Sequence, residues 1–309
     1  MRMEMNLTAA WICVLAAGAF SAFFLGRSLK EQGRLRLQNA WTLLLPALLG
    51  LAFARGGFAL TQFQEEYSGF GYTFRWCYTT GLLGLIVGME AAAVLTGAGR
   101  WKTLDECAAG LCLCMAIARL AQRWLGETGI GPILDSAGPY AMVNDWGEPV
   151  LAAWLVEVLL CLVAAALVLP ASNQKPKAAG GTFCIAVFLM MIPSILIEQF
   201  RSGAYLRYRM MRLEQAFFAL AALDALWFLC RKIRKGGAGR KAWIPMALFV
   251  CLAGVIGLVQ FMLDGKLIAC PEWLGWTLYG CAVAGMLGIS LRTIRKADFA
   301  EQGKDETGK

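Results

Sequence analysis

The stretch Asp105–Glu127, DECAAGLCLCMAIARLAQRWLGE, decides how the whole chain is interpreted. Behind its acidic start lies a run of Ala, Leu, Cys, Met and Gly, which is typical of a membrane-crossing helix. Arg119 arrives before this apolar run has ended. A charge inside a hydrophobic span costs about 3 kcal/mol or more, which favours a functional role. The alternative is that Arg119 extends to the membrane interface and serves only as an anchor.

The flanking residues predict where this helix begins and how its charges are arranged. Thr103 and Glu106 have the spacing of a capping box, so we expect Thr103 to cap the first turn. Arg123 follows Arg119 by one helical turn, which places the two side chains on the same face. Glu127 closes the segment.

The composition indicates an integral membrane protein. The chain has 309 residues, of which 59% are hydrophobic and 16% are charged, and its mean hydropathy is +0.58. Repeated apolar runs near the length of a membrane span predict an all-α, polytopic transmembrane bundle. The net charge of +8 is therefore interpreted as loop topology, and no nucleic-acid partner is expected.

The residue types that are missing narrow the chemistry. The sequence contains no histidine, which excludes Ser-His-Asp and Cys-His nucleophile systems and the HExxH zinc motif. The 11 cysteines lie mostly inside apolar spans, where they are expected to act as small hydrophobic residues. No nucleotide-binding glycine motif is found, and neither a cofactor nor a metal is expected. Catalysis would have to use Arg, Glu, Asp, Tyr, Thr or backbone groups.

The distribution of charge predicts the topology. Basic residues follow the first span at 27–36 and form the loop 231–241, so both segments are expected inside. The N-terminus is then outside, the first helix is not cleaved, and the charged tail 292–309 is inside and disordered. We expect about nine spans, near residues 8–26, 40–61, 76–97, 105–127, 149–170, 182–199, 214–230, 243–263 and 273–291.

Other residues in or near the spans allow two interpretations each. Gly84 and Gly88 are spaced for close helix packing, which is favoured over a functional role. Glu90 is either protonated or paired with an arginine of a neighbouring helix. Four outer arginines in the segment 201–212 either face a phosphate or anionic lipid, or anchor the interface. The outer segment 125–149 is expected to form a small head or lid.

Several motifs, in this order, resemble those of the prolipoprotein diacylglyceryl transferase family. Ala118–Gln122 with Gly126-Glu127 is similar to the family's G-R-x-G-N-F-x-N-G-E, and Ala54–Phe58 to its G-R-x-G-Y. Glu198–Arg201 resembles the E-F-x-R that ends the sixth helix, and Gln215 fits the glutamine that opens the seventh. The resemblance covers roughly residues 8–230.

The resemblance implies a bacterial cytoplasmic-membrane enzyme that moves diacylglycerol from phosphatidylglycerol to a lipobox cysteine. Its partners would be phosphatidylglycerol, other membrane lipids and lipoprotein precursors. The transferase-like domain would be 1–230, followed by two additional helices in 231–291 and the tail 292–309. The implied catalytic residues are Arg119, Glu127 and Glu198. The implied substrate-binding residues are Arg55, Arg119, Gln122, Arg201 and Gln215.

The chain departs from the family at three positions that bear on catalysis. Thr79 stands where the family has histidine, Ser194 where it has arginine, and Trp11 where it has tyrosine. The fifth-helix element H-P-x-Q-L-Y-E is reduced to Glu148-Pro149, with Glu157 one turn beyond the expected glutamate. Two alternatives therefore stay open: an inactive paralogue that binds lipid or assists a membrane partner, and a transporter using Glu90, Glu157 and Asp224.

Overall fold

The structure is a computed structural model that forms two compact units. It describes residues 7–61, 78–124, 130–136, 138–144, 146–173, 179–201, 207–208, 211–263 and 271–307. Unit 1 contains the described residues up to Asn173, together with Phe200 and Arg201. Unit 2 contains the remaining described residues, from 179 to 199 and from 207 onward. The predicted functional division at residue 230 follows neither boundary and stays a prediction.

Unit 1 is built from five helices. They are α1 (Leu7–Glu31), α2 (Leu45–Thr61), α3 (Tyr78–Thr96), α4 (Arg100–Ala121) and α5 (Ala153–Asn173). A 3-10 segment, Leu37–Leu44, leads into α2, and a 3-10 turn, Gln122–Trp124, ends α4. Helix α4 packs between α1 and α5, and α2 packs against α3.

Unit 2 contains four helices: α6 (Gly181–Gln199), α7 (Leu213–Ile233), α8 (Ile244–Leu263) and α9 (Glu272–Thr307). Helix α6 packs on α7 and α9, and α8 packs on α9. A π-helical turn, Arg234–Ala238, and a 3-10 turn, Gly239–Trp243, join α7 to α8. Because α9 continues to Thr307, the tail predicted to be disordered from Arg292 is helical over most of its length.

The helices agree with the membrane class that the composition predicts. Within the described residues, seven helical segments are long and apolar enough to cross a membrane, and one of them, 214–263, contains both α7 and α8. Helix α4 is not among the seven. Its sequence includes Arg100, Lys102, Asp105, Glu106 and Arg119, which lower its apolar character. The described chain thus contains nine α-helices, and α4 is the one that lies outside every candidate span.

The capping box predicted at Thr103 is wrong. Helix α4 begins upstream of Thr103, and no side chain caps its first turn. The Thr103 hydroxyl instead accepts a hydrogen bond from Gln32 Nε2 at 3.0 Å. Glu106 accepts one from Ser28 at 2.5 Å and one from Gln32 at 3.2 Å. These polar residues therefore hold α1 against α4. The spacing of Thr103 and Glu106 favours a helix cap locally, but in the folded chain both side chains bond to a neighbouring helix.

Close packing of α2 against α3 is confirmed at the two glycines that predict it. A Cβ added at Gly84 would lie 2.8 Å from the Phe53 Cβ and closer still to the Leu49 carbonyl oxygen. A Cβ at Gly88 would meet the backbone of Pro46. Neither glycine can be enlarged without separating the helices.

A three-stranded antiparallel sheet lies between α4 and α5 in the chain. Its strands are β1 (Ile130–Ile133), β2 (Ala141–Val143) and β3 (Pro149–Ala152), in the order β1-β3-β2. Met142, Val150 and Trp154 form a buried cluster against which Leu120 packs, so the sheet adjoins the end of α4. The fifth helix, predicted from 149, therefore begins later. In unit 2, β4 (Arg207–Tyr208) pairs with β5 (Met211–Arg212).

Candidate anion-binding site

Arg119 is a buried residue in the last turn of α4. Its exposed fraction is 1%, so the side chain does not extend to solvent as the anchoring interpretation requires. Tyr78, at the start of α3, places its ring 5.0 Å from the Arg119 guanidinium carbon. A cation over an aromatic face is stabilised electrostatically, and more strongly where water is excluded.

Glu157 on α5 joins Arg119 to a second arginine. Its Oε2 lies 3.3 Å from Arg119 Nε and also accepts a hydrogen bond from Arg201 Nη2. All three side chains are at most 2% exposed. Charges at this depth are tolerated because each has a partner of opposite sign within contact distance. We call Arg119, Glu157, Arg201 and the adjacent Gln122 the arginine cluster.

The arginine cluster has hydrogen-bonding capacity left over. Gln122 Oε1 is 3.5 Å from Arg201 Nη2, which sets the orientation of the amide. Among the described residues, Arg119 Nη1, Gln122 Nε2 and Glu157 Oε1 have no hydrogen-bond partner. Two of these three atoms are donors. Buried donors rarely stay unsatisfied, so the arrangement is suited to a ligand that offers acceptor oxygens.

The charge of the arginine cluster specifies the sign of such a ligand. Two guanidinium groups and one carboxylate give a formal charge of +1 in a buried site. Arginine presents a planar fork of donors that matches the oxygens of a carboxylate or a phosphate. A singly charged anion would neutralise the cluster.

A strand of the small sheet positions Arg201. A Cβ added at Gly131 in β1 would lie 3.1 Å from the Phe200 carbonyl oxygen and 2.9 Å from the Leu151 Cβ. The backbone preceding Arg201 is therefore packed directly against β1, where only glycine fits without displacement. This contact is how the sheet contributes to the site.

An apolar groove adjoins the arginine cluster. It has a volume of about 310 Å³ and is formed by α1, α2, α3 and α4 with the end of the 3-10 segment. Tyr78, which stacks on Arg119, and Ala118, which precedes it, both line the groove. Small residues make much of the remaining wall: Ala17, Gly18, Ala22, Ala47, Gly50, Ala54 and Gly81.

Two other predicted site residues belong to unit 2. Glu198 is buried in the last turn of α6. Gln215 on α7 donates to the Ile195 carbonyl at 3.0 Å and accepts from Gln260 Nε2 at 2.9 Å. Its amide is thus engaged with neighbouring helices. Ser194, at the family's arginine position, donates its hydroxyl hydrogen to the Met190 carbonyl.

The other residues predicted for the site lie on different helices or outside the described residues. Arg55 is half-buried on α2, Trp11 is half-buried on α1, and Thr79 is buried beside Tyr78 in the first turn of α3. Glu127 lies outside the described residues. The structure therefore brings Arg119, Gln122 and Arg201 together, and their role in binding a substrate stays a prediction. Arg55 is not one of the residues that form the arginine cluster.

The sequence did not predict that Glu157 and Tyr78 join the arginines, although Glu157 stood out near the family's fifth-helix glutamate and as a transporter candidate. Glu157 is the only acid in the predicted fifth span, a signal that could have marked it as a partner for the arginines. Nothing in the sequence marks Tyr78 as a site residue except its position near the start of a predicted helix. Within the described part of the chain, no three His, Cys, Asp or Glu side chains could together hold a metal ion. Comparison of the sequence with models of known families and with curated proteins finds no match.

Proposed function

We propose that this chain binds an anionic glycerophospholipid, with its phosphate at the arginine cluster, and uses it as a diacylglyceryl donor. The observation that carries the proposal is the pair of buried arginines sharing Glu157, with Arg119 Nη1 facing no partner among the described residues. The first candidate for the lipid is phosphatidylglycerol, which the family resemblance implies.

The charge of the site favours a phosphodiester. A phosphodiester carries one negative charge, which equals the excess positive charge of the arginine cluster. Its oxygens would accept from Arg119 Nη1 and Gln122 Nε2, the donors left over at the site. A zwitterionic headgroup would bring an additional cation toward two arginines and would bind less well.

The apolar groove supports a lipid over a soluble phosphate. Along the end of the 3-10 segment and α2, its lining runs from Leu44 to Ala54, a length of roughly 15 Å at the helical rise per residue. Its small, apolar wall suits an acyl chain, and its connection to Arg119 through Tyr78 supports a lipid whose chain and headgroup would lie side by side. Both parts of one lipid molecule would be bound within unit 1.

The proposed reaction transfers the glyceryl group to a thiol. The sulfur of an acceptor cysteine forms a bond to the glyceryl carbon while the bond from that carbon to the phosphate oxygen breaks. The glycerol phosphate leaves with the bonding electrons, and Arg119 and Arg201 stabilise its charge. The thiol proton passes to a base, for which Glu198 and Glu127 are the candidates from the resemblance, or to the lipid phosphate.

The proposed topology is nine membrane helices, α4 included, with the N-terminus outside and the C-terminus inside a bacterial cell membrane. The basic loops at 27–36 and 231–241 support this orientation. It places the arginine cluster at the outer end of α4, where a lipid headgroup and an exported acceptor would meet.

The contacts of the acidic residues weigh against a transporter. Glu90 is paired with Arg100 at 2.6 Å, which is the second of its two predicted states. Glu157 is held by two arginines, and Asp224 is exposed on α7. Two of the three carboxylates are thus neutralised by arginines, which makes them poor carriers of a proton or a cation. A lipid-binding protein without transferase activity is the second candidate, because the family's histidine and arginine are replaced by threonine and serine.

The test is a transfer assay with the full-length protein in proteoliposomes. Phosphatidylglycerol and a lipobox peptide are supplied, and the mass of the peptide is followed. We expect a diacylglyceryl mass gain that Arg119→Ala abolishes and Arg123→Ala retains. Arg123 is the matched control because it lies one turn further on, half-buried, with its guanidinium over Trp124.

Lipid retention separates the two candidate functions. No mass gain, with phosphatidylglycerol still co-purifying in an Arg119-dependent way, would replace the transferase by a lipid-binding protein. Equal phosphatidylglycerol retention by wild type and Arg119→Ala would contradict the phosphate site itself.

A further inference from the structure

The turn between α7 and α8 forms a second positively charged pocket, in unit 2. The pocket has a volume of about 510 Å³ and is lined by Trp227, Arg231, Arg234, Lys235 and Trp243. Two tryptophans and three cations therefore make its wall. It lies in the loop that the charge pattern predicts to be inside, and we call it the turn pocket.

The shape of the turn pocket is fixed by the surrounding backbone. The chain leaves α7 through a π-helical turn, and Gly237 and Gly239 take φ values of 101° and 57°, which disfavour other residues. Gly236 packs on α9, because a Cβ added there would lie 2.8 Å from the Ala300 Cβ. The C-terminal extension of α9 thus holds the turn that carries Arg234 and Lys235.

The described part of the chain supplies no acid that neutralises the cations of the turn pocket. Among the described residues, none of Arg231, Arg234 and Lys235 forms an ion pair with a carboxylate. Arg231 lies over the Trp227 ring, with its guanidinium carbon 4.7 Å from the ring centroid. This contact orients one guanidinium while its edge stays available to a ligand. The pocket has a formal charge of +3.

We propose that the turn pocket binds the phosphate headgroup of an anionic phospholipid in the inner leaflet. Basic pockets at the cytoplasmic ends of transmembrane helices are suited to such headgroups. The two indoles, at the end of α7 and just before α8, favour a lipid over a soluble anion, since tryptophan concentrates at the membrane interface. With three cations and no described acid, affinity rises with headgroup charge, so a two-phosphate lipid binds more tightly than a one-phosphate lipid. This site is independent of the arginine cluster.

The test measures lipid binding to the full-length protein in detergent by native mass spectrometry. Cardiolipin, phosphatidylglycerol, phosphatidylcholine and inorganic phosphate are titrated separately. We expect affinity to fall in that order. The variant Arg231→Gln/Arg234→Gln/Lys235→Gln should lose about tenfold or more in cardiolipin affinity. The matched control Arg240→Gln/Lys241→Gln/Lys296→Gln removes the same charge from exposed positions outside the pocket and should stay within about twofold of wild type.

Several outcomes would overturn the proposal. Equal losses in the two triple variants would mean that only net charge matters. Equal binding of phosphatidylcholine and cardiolipin would remove the charge recognition, and binding of inorganic phosphate as tight as cardiolipin would make the pocket a soluble-anion site. The single variant Arg231→Lys, which keeps the charge but loses the planar fork, serves if the triple variant is poorly folded. It should weaken cardiolipin binding measurably without affecting phosphatidylcholine.

Discussion

At the scale of single residues, Glu157 has the most consequential contacts. Among the described residues, it is the carboxylate that contacts both Arg119 and Arg201. Glu157→Gln keeps the shape but leaves two buried cations without their counterion. We expect the free energy of unfolding to fall by about 3–5 kcal/mol. Thermal unfolding in detergent measures the loss, and added phosphatidylglycerol should restore more of it than phosphatidylcholine, because its phosphate supplies the missing charge.

The control for this change is Glu31→Gln. Glu31 pairs with Arg27 at 2.8 Å, but both side chains are about half exposed. Water and salt screen an exposed pair, so this variant should be nearly as stable as wild type. Similar losses in both variants would mean that burial of the arginine cluster does not matter for stability.

The same residues show how far the sequence predicts a site. Arg119 and Arg201 could be proposed because each is a conspicuous charge in or beside an apolar run. Their contact through Glu157 could not, because it joins residues far apart in the chain and depends on the register of α5. The error at Thr103 has the same origin. A local capping pattern was outweighed by hydrogen bonds that α1 supplies.

At the scale of elements, the strand β1 positions Arg201 in the arginine cluster. Gly131→Ala would push a methyl group against the Phe200 carbonyl oxygen and the Leu151 side chain. We expect a loss of about 1–3 kcal/mol in stability from this overpacking, together with weaker phosphatidylglycerol retention as Arg201 shifts. Co-purified lipid and thermal unfolding report the two effects.

Gly254→Ala is the control for Gly131→Ala. A Cβ at Gly254, in α8, meets no atom within 4 Å, so alanine should be neutral or should stabilise the helix by up to about 1 kcal/mol. Unchanged lipid retention in Gly131→Ala would show that the strand is dispensable for the site.

The apolar groove makes a separate prediction at this scale. Ala22→Leu on α1 narrows the groove without touching the arginine cluster. We expect long-chain phosphatidylglycerol to bind several-fold less tightly, while a short-chain analogue is affected less, because only the acyl chain meets the added methyl groups. Ala16→Leu lies on the same helix outside the groove lining and should leave both affinities unchanged. Equal effects on both lipids would place the acyl chain elsewhere.

The helices were predictable and the strands were not, for a physical reason. Long apolar runs mark helices such as α5 and α8 regardless of their neighbours. The strands β1 to β3 have only three or four residues each, and β1 contains Gly131 and Pro132, residue types that are depleted in strands. Their pairing depends on the cluster of Met142, Val150 and Trp154, which forms only after folding.

At the scale of the whole molecule, the division into two units could not be derived from sequence. Phe200 and Arg201 belong to unit 1 although α6, directly before them, belongs to unit 2. Which unit a residue joins is determined by long-range contacts, which a pattern of apolar runs does not encode. The same holds for α8 and α9, whose role the sequence does not indicate.

A buried polar network gives these two helices a structural role. Tyr279 on α9 donates its hydroxyl hydrogen to the Ile195 carbonyl of α6 at 3.1 Å. The same hydroxyl accepts from Gln215 on α7 and Gln260 on α8, each at 3.2 Å. All four helices of unit 2 thus meet at one hydroxyl group, which is fully buried. In a helical membrane bundle, such interhelical hydrogen bonds favour one arrangement of the helices over others.

Tyr279→Phe tests whether this network holds α8 and α9 to the rest of unit 2. Removing the hydroxyl leaves two buried amides short of an acceptor, so we expect a loss of about 1–3 kcal/mol in the free energy of unfolding. Tyr140→Phe is the matched control, because Tyr140 is 50% exposed and water can replace its hydrogen bonds. A loss confined to Tyr279→Phe would make α8 and α9 part of the fold of unit 2, whereas equal stability of the two variants would mean that apolar packing alone retains them.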